Sequence, residues 1–422
     1  MSGISSADTP ALDLDWVRSQ FPAFAQPESQ GQAFFENAGG SFACKQTIDA
    51  LHTYYVETKV QPYAAYSTSA RAGEQMDRSR TRWAEALGVS SDDVQFGPST
   101  SMNTYVLAQA FGEILGEGDE VIVTNQDHEA NTGAVRRMAE RCGATLIQWR
   151  IEPQTGLLDP DGLSELLTER TKLVTFPHCS NIIGQENDAR EITARAHAHG
   201  ARVIVDGVSY APHGLADVGA LGCDVYLFSL YKVYSVHQGL MVTQNGILDE
   251  LPNQGHYFNA GNPNKRLTPA GPDHAQEAAA GAVLDYVEAF HLHHGGVAGS
   301  NREAAASTTA IWQQHEDLLL QPVLEQLGAR SDVRLLGPAT LDAAPGHRCP
   351  TVAFVPLAKE PADVAQGLVD RGVQASSGDY YAVRLLEGLD VSADRGVVRV
   401  SWVHYTSPGD IDQLLNALDD VL

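Results

Sequence analysis

The stretch VIVDGVSYAPHGLADVGALGCDVYLFSLYKVYSVHQG, residues 203–239, decides how this chain is read. It opens on a β-branched run that ends in Asp206, a second apolar run ends in Ser229, and Lys232 lies three residues further on. In a parallel sheet both runs point the same way, so the carboxylate and the amine arrive together at the carboxyl edge, where open α/β folds bind ligands. Taken alone, the two residues suit a turn aspartate and a surface lysine at least as well, and the rest of the chain has to decide.

Outward from this stretch, short β-branched runs alternate with helical ones from about residue 94. VQFG (94–97) precedes a helical stretch 100–115, EVIVT (120–124) precedes 130–142, and ATLIQW (144–149), KLVTF (172–176), RVIVD (202–206) and DVYLFS (224–229) follow. Continuous apolar strands between helices predict a doubly wound, mostly parallel sheet covered on both faces. Past Pro272 the pattern turns to alanine-rich helical stretches at 274–290 and 302–327, then to short strands VRLLG, TVAFVP, VQAS and VVRVSWV with helices at 361–371 and 408–422. The expected organisation is an N-terminal segment 1–32 packing on the small domain through DLDWVRSQF (13–21), a large α/β domain 33–290, and a smaller α+β domain 291–422.

The length of 422 residues favours two domains over one core, and 43% apolar with 19% charged residues describes a soluble globular protein. A formal net charge of -25 with no basic stripe argues against nucleic acid and anionic membranes as partners. The polar start MSGISSADTP is not a secretory signal and no run of about 18 apolar residues occurs, so a cytoplasmic location is expected. Cys44, Cys142, Cys179, Cys223 and Cys349 are scattered, without a C-x-x-C pair, which argues against a disulfide framework and a structural metal site.

Asp206, Gly207, His213, Asp217, Leu221, Gly222, Asp224, Phe228, Ser229, Lys232, Tyr234 and Gly239 together resemble the cofactor segment of the class V aminotransferase and cysteine desulfurase superfamily, fold type I enzymes that use pyridoxal 5'-phosphate (PLP). FFENAGGS (34–41) is similar to the family's substrate-side opening, GPSTSMNTYVLAQA (97–110) to its phosphate loop and helix, QDHEAN (126–131) to the segment with the ring-stacking histidine, and SNIIG (180–184) to a strand end at the cofactor 3-oxygen. The resemblance implies a Schiff base on Lys232, Asp206 at the pyridine nitrogen and His128 over the ring, these three being the catalytic groups. Phosphate falls to Ser99, Thr100 and Ser229, where a helix start offers free N–H groups and hydroxyls. Asn181 and Ser209 tune the 3-oxygen. On the substrate side it implies Asn37, and Arg399 in GVVRVSWVHY (396–405) as the fork for an α-carboxylate, so the partner is a small amino acid. It also implies a homodimer with the active site at the interface, toward which segments bearing Tyr63, Tyr66, His256, Tyr257 and Asn259 reach.

The pattern breaks where the reaction is decided. The loop that carries the nucleophilic cysteine of desulfurases is VQASSGDYYAVR (373–384) here, with Tyr380 and Tyr381 and no thiol. The histidine before the lysine is Tyr231, the turn after it is Ser235 to Gly239, and the G-T-P segment is Ala270-Gly271-Pro272, with Thr268 as a substitute hydroxyl. Three reactions stay open: a lyase expelling a sulfur or acidic β-substituent through a quinonoid, an aminotransferase or epimerase, and a decarboxylative or aldol-type carbon–carbon enzyme. A cofactor-bearing regulator is disfavoured by the short N-terminus and the acidic charge.

Overall fold

The computed structural model describes residues 11–422; the polar start at 1–10, with that part of the 1–32 segment, lies outside the described residues. Seven strands form one sheet in the order Val94–Gly97, Gly239–Thr243, Val225–Ser229, Arg202–Asp206, Thr171–Pro177, Glu120–Thr124 and Thr145–Trp149. Six run parallel, and Gly239–Thr243 runs against both of its neighbours. The central strands are apolar on both faces because helices cover both. Val121, Val123, Ile204, Val225 and Leu227 face Leu107, Phe111, Val135 and Met138, whereas Ile122, Val203, Val205, Tyr226 and Phe228 face a core with Trp83, Leu87 and Tyr286. The period of two along each strand sorts these side chains.

A second sheet, with order Ser376–Gly378, Val397–Ser401, Thr351–Pro356 and Val333–Leu335, is antiparallel throughout. Helices Asn301–Ala329, Pro361–Val369 and Pro408–Val421 pack on it. Helix Asn301–Ala329 joins the two cores, with Ala305, Ile311 and Trp312 in the larger one and Leu320, Val323, Leu324 and Leu327 in the smaller. Ala33–Phe34 pairs in parallel with Val373–Gln374, so the start of the 33–290 segment lies against the small sheet. Helix Leu14–Ser19, capped by Asp13, bridges both sides. Trp16 stacks on His293 at 4.4 Å, and Arg18 donates to the Tyr405 carbonyl at 2.9 Å while pairing with Asp410.

Three features depart from the sequence reading. Helices Lys45–Thr53 and Ser67–Leu87 and the reversed strand Gly239–Thr243 were not expected, and the 274–290 stretch is two helices, His274–Ala280 and Val283–His293. The break falls at Gly281, where a Cβ would lie 2.8 Å from Ser79 Cα, so helix Ser67–Leu87 crosses too closely for a side chain there. Among the described residues no helix is long and apolar enough to cross a membrane.

A tight seam joins the large sheet to the small one at Gly184. Its φ is +67°, a Cβ would stand 2.3 Å from the Cys349 carbonyl oxygen, and Cys349 N donates to Gly184 O at 2.8 Å. Gly184→Ala therefore meets both left-handed strain and a backbone clash. It is expected to lower the unfolding free energy by about 2 kcal/mol or more, read by urea denaturation; a loss under about 0.5 kcal/mol, the range of an ordinary surface change, contradicts a rigid seam.

Candidate active site

Strand ends deliver the chemistry to one edge. Register pairs Pro177 with Asp206 and Asp206 with Leu227, so two neighbouring strands end level and the third runs two residues further to Ser229, where the turn Leu230–Lys232 follows. Lys232 is 7% exposed and Asp206 4%, so both ionisable groups are buried. Burial pulls the Lys232 ammonium down to about 8; the Arg399 cation pushes the same way, and Asp206 and Glu36 oppose. Burial lifts the Asp206 carboxyl to about 6, against the hydrogen bond from Val208 N to Oδ1 at 2.8 Å and the charge of Lys232.

The reversed strand brings in the helix start. Gly239 lies so close to the Ser99–Thr100 peptide that a Cβ would sit 2.4 Å from Ser99 C and 2.5 Å from Thr100 N. Helix Thr100–Gly112 thus begins beside Ser229, and Thr100 Oγ1 and Ser229 Oγ are 2.7 Å apart. Ser99 is the N-cap, its hydroxyl accepting from Met102 N at 3.2 Å. Thr100, Ser101, Ser229, Tyr231 and Lys232 line one cavity with Asp127, His128, Asn181, Asp206 and Ser209.

His128 caps helix Glu129–Cys142, with Nδ1 accepting from Ala130 N at 2.9 Å, which leaves Nε2 to carry the ring proton. Burial, with the cations of Lys232 and Arg399, holds its pKa near 3, so the ring is neutral. Asp127 is buried beside it, taking His128 N at 3.0 Å and Asn131 Nδ2 at 2.5 Å. Burial and the nearby Asp206 push its carboxyl well above the ordinary range.

Facing these groups from the small sheet is Arg399, 3% exposed, with Nη1 donating to the Asn181 carbonyl at 3.1 Å and Nε buried without a partner. The Tyr380 ring lies 3.8 Å from its guanidinium carbon. Tyr380 and Tyr381 have φ of +50° and +58°, and consecutive left-handed residues with side chains are strained, as at many functional sites. The loop is held by Asn181 Nδ2 to Tyr380 O at 3.0 Å and Glu129 N to Tyr381 O at 2.8 Å, which sets the Tyr381 ring 5.2 Å from His128.

Of the residues singled out by sequence, Lys232, Asp206, His128, Thr100, Ser229, Asn181 and Ser209 line the shared cavity. Arg399 joins them across the cleft, and Ser99 serves the helix it caps. Asn37 is not brought in. Its Nδ2 donates to Phe34 O and Ser401 O at 3.4 and 3.3 Å, and its Oδ1 accepts from Tyr405. Sequence reasoning missed Asp127, Ser101 and Tyr231. Asp127 was legible in QDHEAN as an acid before the histidine; the other two carry no signal apart from their neighbours.

This lining fits PLP. A buried amine stands for its aldehyde, a carboxylate for its ring nitrogen, a flat neutral ring for its face, and hydroxyls at a helix start for its phosphate. Lys232 must be uncharged to condense with the aldehyde. Uptake of PLP by cofactor-free protein is expected to slow about tenfold per pH unit below about 8, read by stopped-flow absorbance. Lys232→Ala should leave no borohydride-fixed cofactor, and Gly239→Ala should weaken PLP binding at least tenfold by displacing the helix start.

The family model described as Aminotransferase class-V matches residues 33–244. The chain is 33% identical to the aminotransferase-like protein FGM3 of Gibberella zeae over 98% of this chain and 99% of that one. It is 29% identical to a cysteine desulfurase of Cronobacter sakazakii over 97% and 98% of the two chains. In fold it superposes on the apo cysteine desulfurase of Thermococcus onnurineus with a TM-score of 0.82 at 22% identity, covering 100% and 99% of the two chains. Sequence, fold and cavity chemistry agree, and the chain belongs to the class V aminotransferase family of pyridoxal-phosphate enzymes.

Proposed function

We propose that this enzyme is a lyase that acts on an α-amino acid and expels a sulfur-bearing or acidic β-substituent, with Lys232, Asp206 and His128 as its catalytic groups. The observation that carries the reading is what stands on the substrate side of the cleft. The 376–386 loop presents Tyr380 over Arg399 and Tyr381 beside His128, and none of the five cysteines is on it. Cys349 is fully buried, and Cys179 lines the cavity next to Asn181 and Pro177, on the strand side. With no thiol on the loop at the substrate side to take up sulfur, the β-substituent leaves directly.

Bound PLP supplies an electron sink for the bond broken at the substrate α-carbon. Asp206 would hold a proton at the ring nitrogen by its negative charge, and His128 would cover the ring face. Thr100 and Ser229, with the helix start behind Ser99, would hold the phosphate, and Asn181 and Ser209 would meet the 3-oxygen. Arg399 would grip the α-carboxylate, its guanidinium held in place by the Tyr380 ring and the Asn181 carbonyl. Lys232 Nζ would take the α-proton and give a proton to the departing group. For a thiol substituent the net change consumes one water and yields pyruvate, ammonia and hydrogen sulfide; a sulfinate or carboxylate leaves as SO2 or CO2, its bonding electrons stay on the β-carbon, and the product is alanine.

The test is incubation of the holoenzyme with cysteine, cysteine sulfinate, aspartate and alanine. Expected is pyruvate in equal amount to sulfide from cysteine, or alanine in equal amount to sulfite from cysteine sulfinate; stoichiometric conversion to the amine form of the cofactor without sulfur product would identify an aminotransferase instead. Arg399→Lys is expected to raise KM at least tenfold, since an ammonium cannot make the two-pronged contact. A homodimer belongs to this reading, supported by exposed aromatics at Tyr63, Tyr66, Tyr257 and Phe258. Light scattering should give twice the 45.3 kDa of one chain.

A further inference from the structure

Glu36 has no role in the reading above, yet its place is unusual. Phe35 turns into the small core, its ring 5.8 Å from that of Trp402, while Ser401 N donates to Phe35 O at 2.8 Å. Alternation along this extended segment turns Glu36 the opposite way. Glu36 also bridges to Ser401, two residues beyond Arg399 on the same strand face, which sets its carboxylate at the wall of the cleft. Its negative charge is felt at Lys232, Arg399 and Tyr380. Oε1 is buried and accepts no hydrogen bond, and among the described residues no lysine, arginine or histidine nitrogen lies within 4.0 Å of the carboxylate.

A buried carboxylate oxygen without a donor is costly, because it has given up water for nothing. The other charges of the cleft are matched once PLP and substrate are bound. Arg399 meets the α-carboxylate, Asp206 the ring nitrogen, and Arg384 is paired with Glu129. Lys232 acts as an uncharged amine when it serves as the base. One negative group is left over, beside the place where the substrate side chain must lie.

We infer that Glu36 determines specificity, selecting amino acids whose departing side chain ends in a cation such as an amine or guanidine and rejecting acidic ones. This rests on the amino-acid lyase reading and narrows it to the sulfur-bearing, cationic side. The geometry asks for a hydrogen-bond donor at Oε1, and a cationic donor also balances the charge. A side-chain carboxylate there would face Glu36 at close range, and like charges in a buried site repel strongly.

The test is binding without turnover. The holoenzyme is titrated with α-methylornithine, its neutral isostere α-methylnorleucine and α-methylglutamate, none of which has an α-proton, and the cofactor absorption band is followed. The ornithine analogue is expected to bind at least fivefold tighter than the norleucine analogue, with the glutamate analogue weakest. In Glu36→Gln the ratio of the first two affinities should fall at least fivefold. A smaller ratio in the unaltered enzyme, which needs no variant to fold, overturns the inference, as does a ratio that survives Glu36→Gln. If no analogue moves the band, the amino-acid reading itself fails with it; equal affinities sink the role of Glu36 alone.

Discussion

The structure turns on the burial of an amine and a carboxylate at one edge of a parallel sheet. Neither Lys232 nor Asp206 is given a full ion-pair partner by the protein: Asp206 takes one backbone N–H, and Lys232 lies in a field where Arg399 opposes it and Asp206 supports it. Burying charge in this way is unfavourable in an empty protein. It is productive in an enzyme whose cofactor brings an aldehyde to one group and a ring nitrogen to the other, and the fold meets the cost through the apolar packing of the sheet behind them.

The rest of the site follows from holding that edge rigid. The reversed strand Gly239–Thr243 docks the start of helix Thr100–Gly112 at a distance only glycine allows, so Thr100 is fixed to the same sheet as Lys232 and Asp206. The small sheet supplies the opposite wall, with Arg399 and Glu36 on adjoining backbone and Tyr380 held over the guanidinium. Two sheets that share helix Asn301–Ala329 and the Gly184 seam thus keep the cofactor wall and the substrate wall in register. The 376–386 loop over the cleft carries two strained tyrosines and no thiol, and the fold by itself does not set the reaction.

Much of this was legible in the chain itself. Runs ending in Asp206 and Ser229, Lys232 three residues on, and the alternation from residue 94 determined the α/β class and brought most of the residues singled out to one cavity, because strand period and strand-end position are local properties. Arg399 was legible from its matching segment, although it stands within strand Val397–Ser401 and not after a strand. Helix Ser67–Leu87 was not, since its buried residues include serines, alanines and a glycine that carry little periodic signal.

What only the tertiary structure decided lies where two distant segments meet. Asn37 looked like a substrate residue, but Tyr405 and Ser401 occupy its amide, and it is the neighbouring Glu36 that keeps a buried carboxylate oxygen without a partner. Asp127 became part of the site only when Asn131 and Asp206 closed around it. A sequence states which groups are present and how they alternate along one element. Which of them keep a free valence is settled by long-range packing, because a hydrogen bond is used up by whichever partner the fold brings first.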